Sequence, residues 1–314
     1  MSNDDSLIQK SLFERIAKKK TRLDSKRPLP TDAVKRLRDE IRLLHTYHSN
    51  AIEGNTLTLQ ETKVILEEGT TVGGKSLKEH LEAINNAKAF DLMEELAKGK
   101  TEIRQETIPQ IHETVTQGIL TDGGKYRTQN VRAMGARKTP PDFSKIPSLM
   151  SALIKDMSKK GQNPVEIASF FHHRLVEIHP FIDGNGRVAR LLTNLYLLKK
   201  GYPPIVLKEE DRKKYYDCLK AADAGNLKPF ANFIAKAVDE SLTLYLSIFG
   251  GVDELISLAE LSKDSPYSQE YLSLRARQGY LDAVKINGIW HSTKRALKEY
   301  LTLSAGSPLA KAGG

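Results

Sequence analysis

The chain has 314 residues, of which 39% are hydrophobic and 28% charged, values typical of a folded protein with one large domain or a main domain and appendages. We expect no membrane span, because no apolar run is long enough to cross a bilayer, and the single cysteine, Cys218, excludes an intrachain disulfide and favours a reducing, cytoplasmic location. The formal net charge of +9 favours anionic partners such as nucleotides, nucleic acids or acidic proteins.

The N-terminal third predicts amphipathic helices separated by turns. Apolar residues recur at helical spacing over 31–53, where Thr31 is a suitable cap, and again over 77–98. Gly54 is a natural stop for the first of these helices. The loop TTVGGKS at 70–76 lacks the pattern of a nucleotide P-loop, so we interpret it as a connection.

The segment TDGGKYRTQNVRAMGARKTPPD, residues 121–142, interrupts the helical pattern. Its glycines, its β-prone centre and its double proline predict a turn that leads into a short β-hairpin flap. Helical periodicity returns over 164–178, and a buried helix that ends near Gly201 follows. Further helices are predicted at 209–224 and 228–247.

The sequence changes character at FGGVDE, residues 249–254. Beyond it we predict two short helices, a strand, an Asn-Gly turn, a second strand and a helix, an order typical of a small winged-helix-like module. Residues 252–314 hold eight Lys/Arg against seven Asp/Glu, so strong binding to DNA phosphates is not favoured. Protein contact and structural capping fit the module at least as well.

The strongest motif is HPFIDGNGRVAR at 179–190, which lies between two predicted helices. Its glycines let N–H groups converge at the start of the second helix, which makes an anion site. Arg187 and Arg190 are three residues apart, so they share a face suited to phosphate. Asp183 is suited to bind Mg²⁺, which is commonly held by carboxylates plus substrate phosphates. His179 can accept a proton from an incoming hydroxyl, so the motif indicates phosphoryl or nucleotidyl transfer.

This motif resembles the signature of Fic-domain proteins, H-P-F-x-D-G-N-G-R-x-x-R, at every fixed position, and the resemblance extends over roughly residues 40–240. We expect a mainly α-helical fold: a helical Fic core with a short β-hairpin flap, plus the winged-helix-like module. The expected division is an N-terminal helical region at 1–104, a catalytic core at 105–248 and the module at 249–314.

Most characterised Fic proteins transfer AMP from ATP to a hydroxyl of a target protein. The resemblance therefore implies a self-inhibited protein adenylyltransferase that modifies Ser, Thr or Tyr, releases pyrophosphate and modifies itself. It implies His179 as the base, Asp183 as the Mg²⁺ ligand, and Arg187 and Arg190 as the grip on the β- and γ-phosphates. The residues implied to bind the nucleotide are Arg132, Ala133, Met134, Gly135, Asp183, Gly184, Asn185, Gly186, Arg187, Val188, Ala189, Arg190, Tyr215 and Tyr216.

The segment SNAIEGN at 49–55 resembles the family's inhibitory motif, [S/T]-x-x-x-E-[G/N], through Ser49, Glu53 and Gly54. A glutamate at the C-terminal end of a helix lies near the negative end of the helix dipole, so it needs a cation. The resemblance implies Arg187 as that cation. Such a pair would take from the γ-phosphate the arginine that should hold it.

The flap resembles the segment on which a target protein docks by strand addition. Tyr215 and Tyr216 resemble tyrosines that line a nucleoside pocket, although either also fits the core. Asp223 stands where some relatives carry asparagine, which puts a nucleoside contact there in doubt. His172 and His173 are expected to pack between helices.

Two alternative functions stay open at this point. A glutamate in the place of Glu53 can position a water, so the same site could remove AMP from a modified protein. The chain could also be a DNA-binding regulator that senses a nucleotide. A kinase-like member of the family typically has lysine where Gly186 stands, so this sequence departs from that variant. The expected partners are ATP with Mg²⁺ and a target protein, while a homo-oligomer and DNA contact through the module stay open.

Overall fold

The computed structural model describes residues 6–99, 102–132, 138–157 and 163–305. Within these ranges thirteen α-helices and three short strands form, which confirms the mainly α-helical fold. The helices before the flap are α1 (Lys10–Asp24), α2 (Thr31–Ile52), α3 (Leu59–Glu68), α4 (Leu77–Lys98) and α5 (Thr107–Thr116). After it come α6 (Ile146–Met157), α7 (Pro164–Ile178), α8 (Asn185–Lys199), α9 (Arg212–Asp223) and α10 (Lys228–Ser247). None of the described helices is both long and apolar enough to cross a membrane.

Helix α8 is the centre of the helical core. Its side chains from Arg187 to Leu197 are all buried, and it packs against α4, α5 and α7. A helix that is buried on all sides belongs to a protein core. The motif at 179–190 therefore lies at the N-terminal end of the central helix, so its position is fixed by packing on several sides.

Helix α2 packs beside α4 through charged as well as apolar side chains. Arg38 and Arg42 both bind Asp91, with Arg42 Nε and the Asp91 carboxylate 2.8 Å apart. The C-terminal half of α2 is buried through Ile41, His45, Thr46, His48, Ser49, Asn50 and Ile52. This packing brings the end of α2, with Ser49 and Glu53, to the candidate site.

The chain forms two compact units: Met1–Ala17 with Lys35–Val238, and Lys18–Val34 with Asp239–Gly314. The first unit contains both the 49–55 segment and the 179–190 motif, so the candidate site lies within one unit. The predicted boundaries after residues 104 and 248 stay predictions.

The second unit contains the C-terminal module. It has α11 (Leu258–Leu261), α12 (Gln269–Arg277) and α13 (Lys294–Ala305) with the strands β1 (Ile256–Ser257), β2 (Ala283–Ile286) and β3 (Ile289–Ser292), in the antiparallel order β1-β3-β2. Asn287 and Gly288 close the β2–β3 hairpin with φ values of 49° and 82°, the left-handed conformation that a tight two-residue turn requires. The predicted order of two helices, strand, turn, strand and helix is thus confirmed, whereas β1, which precedes them, was not predicted.

The flap is described only in part. Its described residues, 121–132 and 138–142, contain no strand. Residues 133–137 lie outside the described ranges, so the hairpin stays a prediction. On the C-terminal side of the flap, Asp142 caps a short 3₁₀ helix at Phe143–Lys145 that leads into α6.

Candidate active site

His179 stands directly after α7 in the left-handed backbone conformation, with φ 51° and ψ 59°. This conformation is uncommon outside glycine, and here it turns the chain from the helix into the loop. The His179 N–H donates to the Leu175 carbonyl and closes the last turn of α7. Burial lowers the pKa of the imidazole below its ordinary value of 6.5. The ring is therefore neutral at pH 7 and free to accept a proton.

Asn185 folds the loop onto the start of α8. Its amide donates to the Phe181 carbonyl at 2.9 Å, and its Oδ1 accepts from the Phe181 N–H at 3.0 Å. Gly184, with φ 80°, is the N-cap and supplies no side chain that could bond the first N–H groups of α8. Those N–H groups are suited to bind an anion.

Asp183 lies at the exposed side of this loop, with 46% of its side chain accessible. One carboxylate oxygen accepts from the Gly184 N–H at 2.6 Å, while Arg187 and Lys78 approach to 3.6 and 3.9 Å. A half-exposed carboxylate beside an anion site fits Mg²⁺. Among the described residues no group of three or more His, Cys, Asp and Glu side chains is placed to hold a metal ion.

Arg190 holds the end of α2. Its Nε donates to the Ser49 hydroxyl at 2.9 Å, and one terminal nitrogen donates to the Ser49 carbonyl at 2.8 Å and to Glu53 Oε1 at 2.7 Å. The expected pair between Glu53 and Arg187 is therefore wrong. Ser49 lies in the last turn of α2 and Glu53 directly after that helix, and both bind Arg190 of α8. Gly54 follows with φ 97°.

Arg187 lies beside two carboxylates, one from its own motif and one from α4. Its guanidinium is only 2% exposed, 3.1 Å from Glu82 on α4 and 3.6 Å from Asp183. Glu82 also accepts a hydrogen bond from Asn55, just beyond the end of α2, at 2.9 Å. The two motif arginines are thus occupied by different carboxylates.

Gly186 lies directly under the Glu53 carboxylate. A Cβ at this position would collide with Glu53 Oε1, so no larger residue fits without moving the glutamate. The carboxylate therefore lies against the first turn of α8, where the helix dipole favours negative charge. A phosphate group would be attracted to the same place for the same reason.

Tyr215 lies in the core, where it is 2% exposed and hydrogen-bonds to His172 at 2.8 Å. The Arg190 guanidinium lies over its ring at 6.0 Å, so the ring supports the arginine. Tyr216 is partly exposed, and the Arg212 guanidinium lies 5.2 Å from its ring. Only Tyr216 of the two has a ring that a ligand could contact in this conformation.

His172 and His173 are both buried between helices, which confirms their expected packing role. His173 Nε2 lies 2.9 Å from the Asp223 carboxylate. The Asp223 side chain is thus already engaged within the protein.

Of the remaining residues implied to bind the nucleotide, some lie within the described ranges and others do not. Arg132 is exposed at the end of a described range, whereas Ala133, Met134 and Gly135 lie outside the described residues. Val188 and Ala189 are fully buried in α8, so their side chains face the core. Any contact with a ligand would come from the backbone of this turn.

The sequence did not reveal three residues of the site: Glu82, His112 and Arg127. Glu82 binds Arg187, while His112 and Arg127 bind the carbonyls of Asp183 and His179. Burial lowers the pKa of His112 to about 4, so its ring is neutral. These contacts join distant parts of the sequence, and two of them involve main-chain atoms, so no local pattern indicates them.

The assembled groups are a neutral imidazole, a half-exposed carboxylate, an uncapped helix N-terminus and two buried arginines. Such a set is suited to bind a chain of phosphates and to accept a proton from a hydroxyl nearby.

Comparisons with known proteins agree with this chemistry. The model of the Fic/DOC family matches residues 102–197. The protein adenylyltransferase Fic of Drosophila persimilis is 37% identical over 232 residues, which cover 71% of this chain and 46% of that protein. The protein of the same name from Culex quinquefasciatus is 36% identical over 242 residues, 76% of this chain and 48% of that protein. The chain thus spans about half the length of these curated relatives.

Solved structures share the fold. A Fic-domain-containing signalling protein from Bacteroides thetaiotaomicron superposes with a TM-score of 0.70 at 29% identity, over 76% of this chain and 98% of that one. Fic-1 from C. elegans superposes with a TM-score of 0.68 at 32% identity, over 76% of this chain and 72% of that one.

Proposed function

Because the chain belongs to the Fic family, we propose that it is a protein adenylyltransferase that transfers AMP from ATP to a Ser, Thr or Tyr hydroxyl of a target protein and of itself. The observation that carries the proposal is the juxtaposition of neutral His179, half-exposed Asp183 and the uncapped N-terminus of α8. These groups match the needs of nucleotidyl transfer: a base, a place for a cation and a phosphate site. A cytoplasmic location, where ATP is available, belongs to the same proposal.

In the proposed reaction His179 accepts the proton of the target hydroxyl. The hydroxyl oxygen forms a bond to the α-phosphorus, and the bond from that phosphorus to the bridging oxygen of pyrophosphate breaks. A neutral imidazole suits this role, because a general base must be unprotonated before the reaction. Pyrophosphate leaves with the electron pair, and His179 then returns its proton to solvent.

The phosphates would be held by the N-terminal N–H groups of α8 and by the guanidinium groups of Arg187 and Arg190. Asp183 would hold Mg²⁺, which supplies positive charge to the phosphate oxygens when bound. Both arginines are only 2% exposed, so their charges act in a poorly screened environment. The phosphates would compete for these arginines with the carboxylates that now lie beside them.

Glu53 is the proposed brake on this reaction. Its carboxylate binds Arg190 at 2.7 Å and lies against Gly186, so it competes with a phosphate for both. Arg212 donates to the Ile52 carbonyl at 2.7 Å and holds the last turn of α2 in place. Transfer would then be slow until the end of α2 moves.

Removal of AMP from a modified protein is the second candidate. It is favoured by the position of the Glu53 carboxylate, which is 32% exposed beside the phosphate site and can therefore orient a water. In that reaction the glutamate would be required, whereas in AMP transfer it would inhibit.

The test is incubation of the purified chain, alone and with a lysate, with ATP labelled in its α-phosphate. We expect label on protein, more label with Glu53→Gly and far less with His179→Ala. Label that the purified chain alone acquires from ATP labelled only in the γ-phosphate would contradict the proposal. A chain that binds ATP but labels no protein in any variant would instead favour the nucleotide-sensing regulator.

AMP removal is tested separately with a protein that already carries AMP. If wild type releases AMP and Glu53→Gly does not, the second candidate holds. Release by Glu53→Gly at the wild-type rate would contradict it.

A further inference from the structure

The loop between α7 and α8, residues 179–184, is called the catalytic loop here. It is held at the main-chain carbonyls of His179 and Asp183. Arg127 Nε donates to the His179 carbonyl at 2.9 Å. His112 Nε2 lies 3.0 Å from the Asp183 carbonyl. Hydrogen bonds to a carbonyl fix the direction of the adjoining backbone and hence the origin of the side chain. The loop is thus held at the proposed base and at the proposed metal ligand.

The proton on His112 can be assigned from its partners. The Gly124 N–H donates to His112 Nδ1 at 2.9 Å, so Nδ1 carries the lone pair. Nε2 therefore carries the hydrogen and donates to Asp183. The ring also stacks on Phe181, in the middle of the loop, with centroids 3.7 Å apart and planes 2° from parallel. His112 thus fixes the loop by two hydrogen bonds and one ring face.

Arg127 binds the main chain at three separated points. Besides the His179 carbonyl, its guanidinium donates to the carbonyls of Gln129 at 2.8 Å and Pro141 at 2.6 Å. Its own N–H donates to the Pro180 carbonyl at 2.9 Å. The residue is 3% exposed, so these contacts form in the interior, where hydrogen bonds to a charged group are strong. Gln129 precedes residues 133–137 in the sequence and Pro141 follows them. The Arg127 side chain therefore connects both described parts of the flap to His179.

The two contacts come from neighbouring elements: His112 lies in α5, and Arg127 lies in the segment 121–142 that follows it. The Gly124 N–H of that segment donates to His112. The segment is therefore bonded directly to His179 and, through His112, to Asp183. A target protein seated on the flap would be held in a fixed relation to His179 and Asp183.

We propose that Arg127 and His112 are positioning residues for AMP transfer: Arg127 aligns His179 with a hydroxyl presented on the flap, and His112 aligns Asp183 with the metal and phosphates. The inference rests on the proposed function for its chemistry, whereas the hydrogen bonds of Arg127 and His112 do not depend on that function. The two residues have separate roles, so a change at Arg127 should affect proton transfer, whereas a change at His112 should affect the Mg²⁺ requirement.

The experiment compares variants in the Glu53→Gly background, in which we expect transfer to be fastest. Arg127→Lys keeps the charge but cannot reach three carbonyls, and Arg127→Gln removes the charge. His112→Phe keeps the stacking on Phe181 without the hydrogen bonds, whereas His112→Gln restores a donor. Arg42→Gln, which removes a charged contact with Asp91 outside the site, is the matched control.

For both Arg127 variants we expect kcat to fall roughly 10²-fold, since small misplacements of reacting groups have effects of that size, with the KM for ATP little changed. The pKa of His179, followed by NMR of its ring without ATP, should rise in Arg127→Gln, because a nearby positive charge is lost. For His112→Phe we expect the Mg²⁺ concentration that half-saturates ATP binding, measured by calorimetry, to rise roughly tenfold or more. His112→Gln should restore part of that loss.

A purely structural role would give a different result. If melting temperatures fall but the pKa of His179 stays unchanged in Arg127→Gln and the Mg²⁺ requirement stays unchanged in His112→Phe, the inference is overturned. The NMR and calorimetric measurements decide this even if the Glu53→Gly parent transfers no AMP, an outcome that would count against the proposed function alone.

Discussion

Glu53 and Arg190 form a direct ion pair, with 2.7 Å between Glu53 Oε1 and a guanidinium nitrogen that also donates to the Ser49 carbonyl. Arg190 is buried and Glu53 is one-third exposed, so the arginine is the fixed partner and the glutamate the movable one. Any signal that withdraws the end of α2 would free the arginine without disturbing α8. The first prediction follows from this asymmetry.

Replacement of Glu53 by glycine should raise AMP incorporation roughly 5- to 100-fold, the usual range for a coupling of this kind. Arg190→Ala should abolish the gain in the double variant, because the phosphate grip is then lost. Incorporation is measured at equal ATP for the two single variants and the double variant, and the effects should be non-additive. A double variant as active as Glu53→Gly would show that Arg190 does not hold phosphate.

His179→Ala should reduce transfer by roughly 10²- to 10⁴-fold, the usual contribution of a general base. ATP affinity should change little, because the imidazole acts on the hydroxyl and not on the nucleotide. Calorimetric binding of ATP to the same preparation is the control for folding. Undiminished transfer would end the assignment of His179.

The pH profile of transfer should reflect the lowered pKa of His179. Burial and the charge of Arg127 lower this pKa, while Glu53 and Asp183 raise it. The unprotonated ring is the active form, so the rate should be level at neutral pH and fall as the pH drops through a value below 6.5. Glu53→Gly removes a negative charge and should move the inflection lower still. An inflection above 7 in either protein would contradict this account.

Asp183→Ala should abolish both activity and the Mg²⁺ dependence of ATP binding. The expectation rests on the half-exposed carboxylate of Asp183, which has room for a hydrated cation. Asp122→Ala, at an exposed carboxylate in the turn before the flap, is the matched control. If ATP binding by Asp183→Ala still depends on Mg²⁺ as in wild type, the metal ligand lies elsewhere.

Gly186→Ala should displace the Glu53 carboxylate, since the added methyl would occupy its place. The carboxylate is the end of a flexible side chain, so the main cost is the lost pair with Arg190. We expect a lower melting temperature in the wild-type background and a smaller decrease in Glu53→Gly, where no carboxylate is present. Equal decreases in both backgrounds would show that Gly186 is needed for another reason.

Much of the site was predictable because its chemistry lies within twelve consecutive residues. The sequence indicated His179, Asp183 and the two arginines together with the helix boundary that presents them. It could not decide which arginine meets Glu53, because Arg187 and Arg190 share a helical face. The pairing depends on Glu82 of α4, a residue distant in sequence. Glu82 lies beside Arg187, and Arg190 is the arginine that pairs with Glu53.

The fold was predictable where periodicity is strong, as in α2, α4 and α7. Tyr215 shows the limit of such reasoning, because its spacing fits either a pocket or the core. Its hydrogen bond to His172 and its place beneath Arg190 assign it to the core. The roles of Arg127 and His112 could not be predicted from the sequence. Both residues bind main-chain carbonyls, and every residue has a carbonyl, so the sequence does not indicate which one is bound.

The contacts of Arg127 do not depend on which side chains its partners carry, and this has a consequence for the flap. Arg127 recognises the chain at Gln129 and Pro141 only through carbonyl oxygens. Exchange of side chains between those two residues would leave the contacts of Arg127 in place, whereas Asn130, which binds Asp142 and the Phe143 N–H, would have to be kept. Under the proposed function, in which a target protein docks on this segment, such changes would alter the choice of target while the contacts of Arg127 with His179 stay the same.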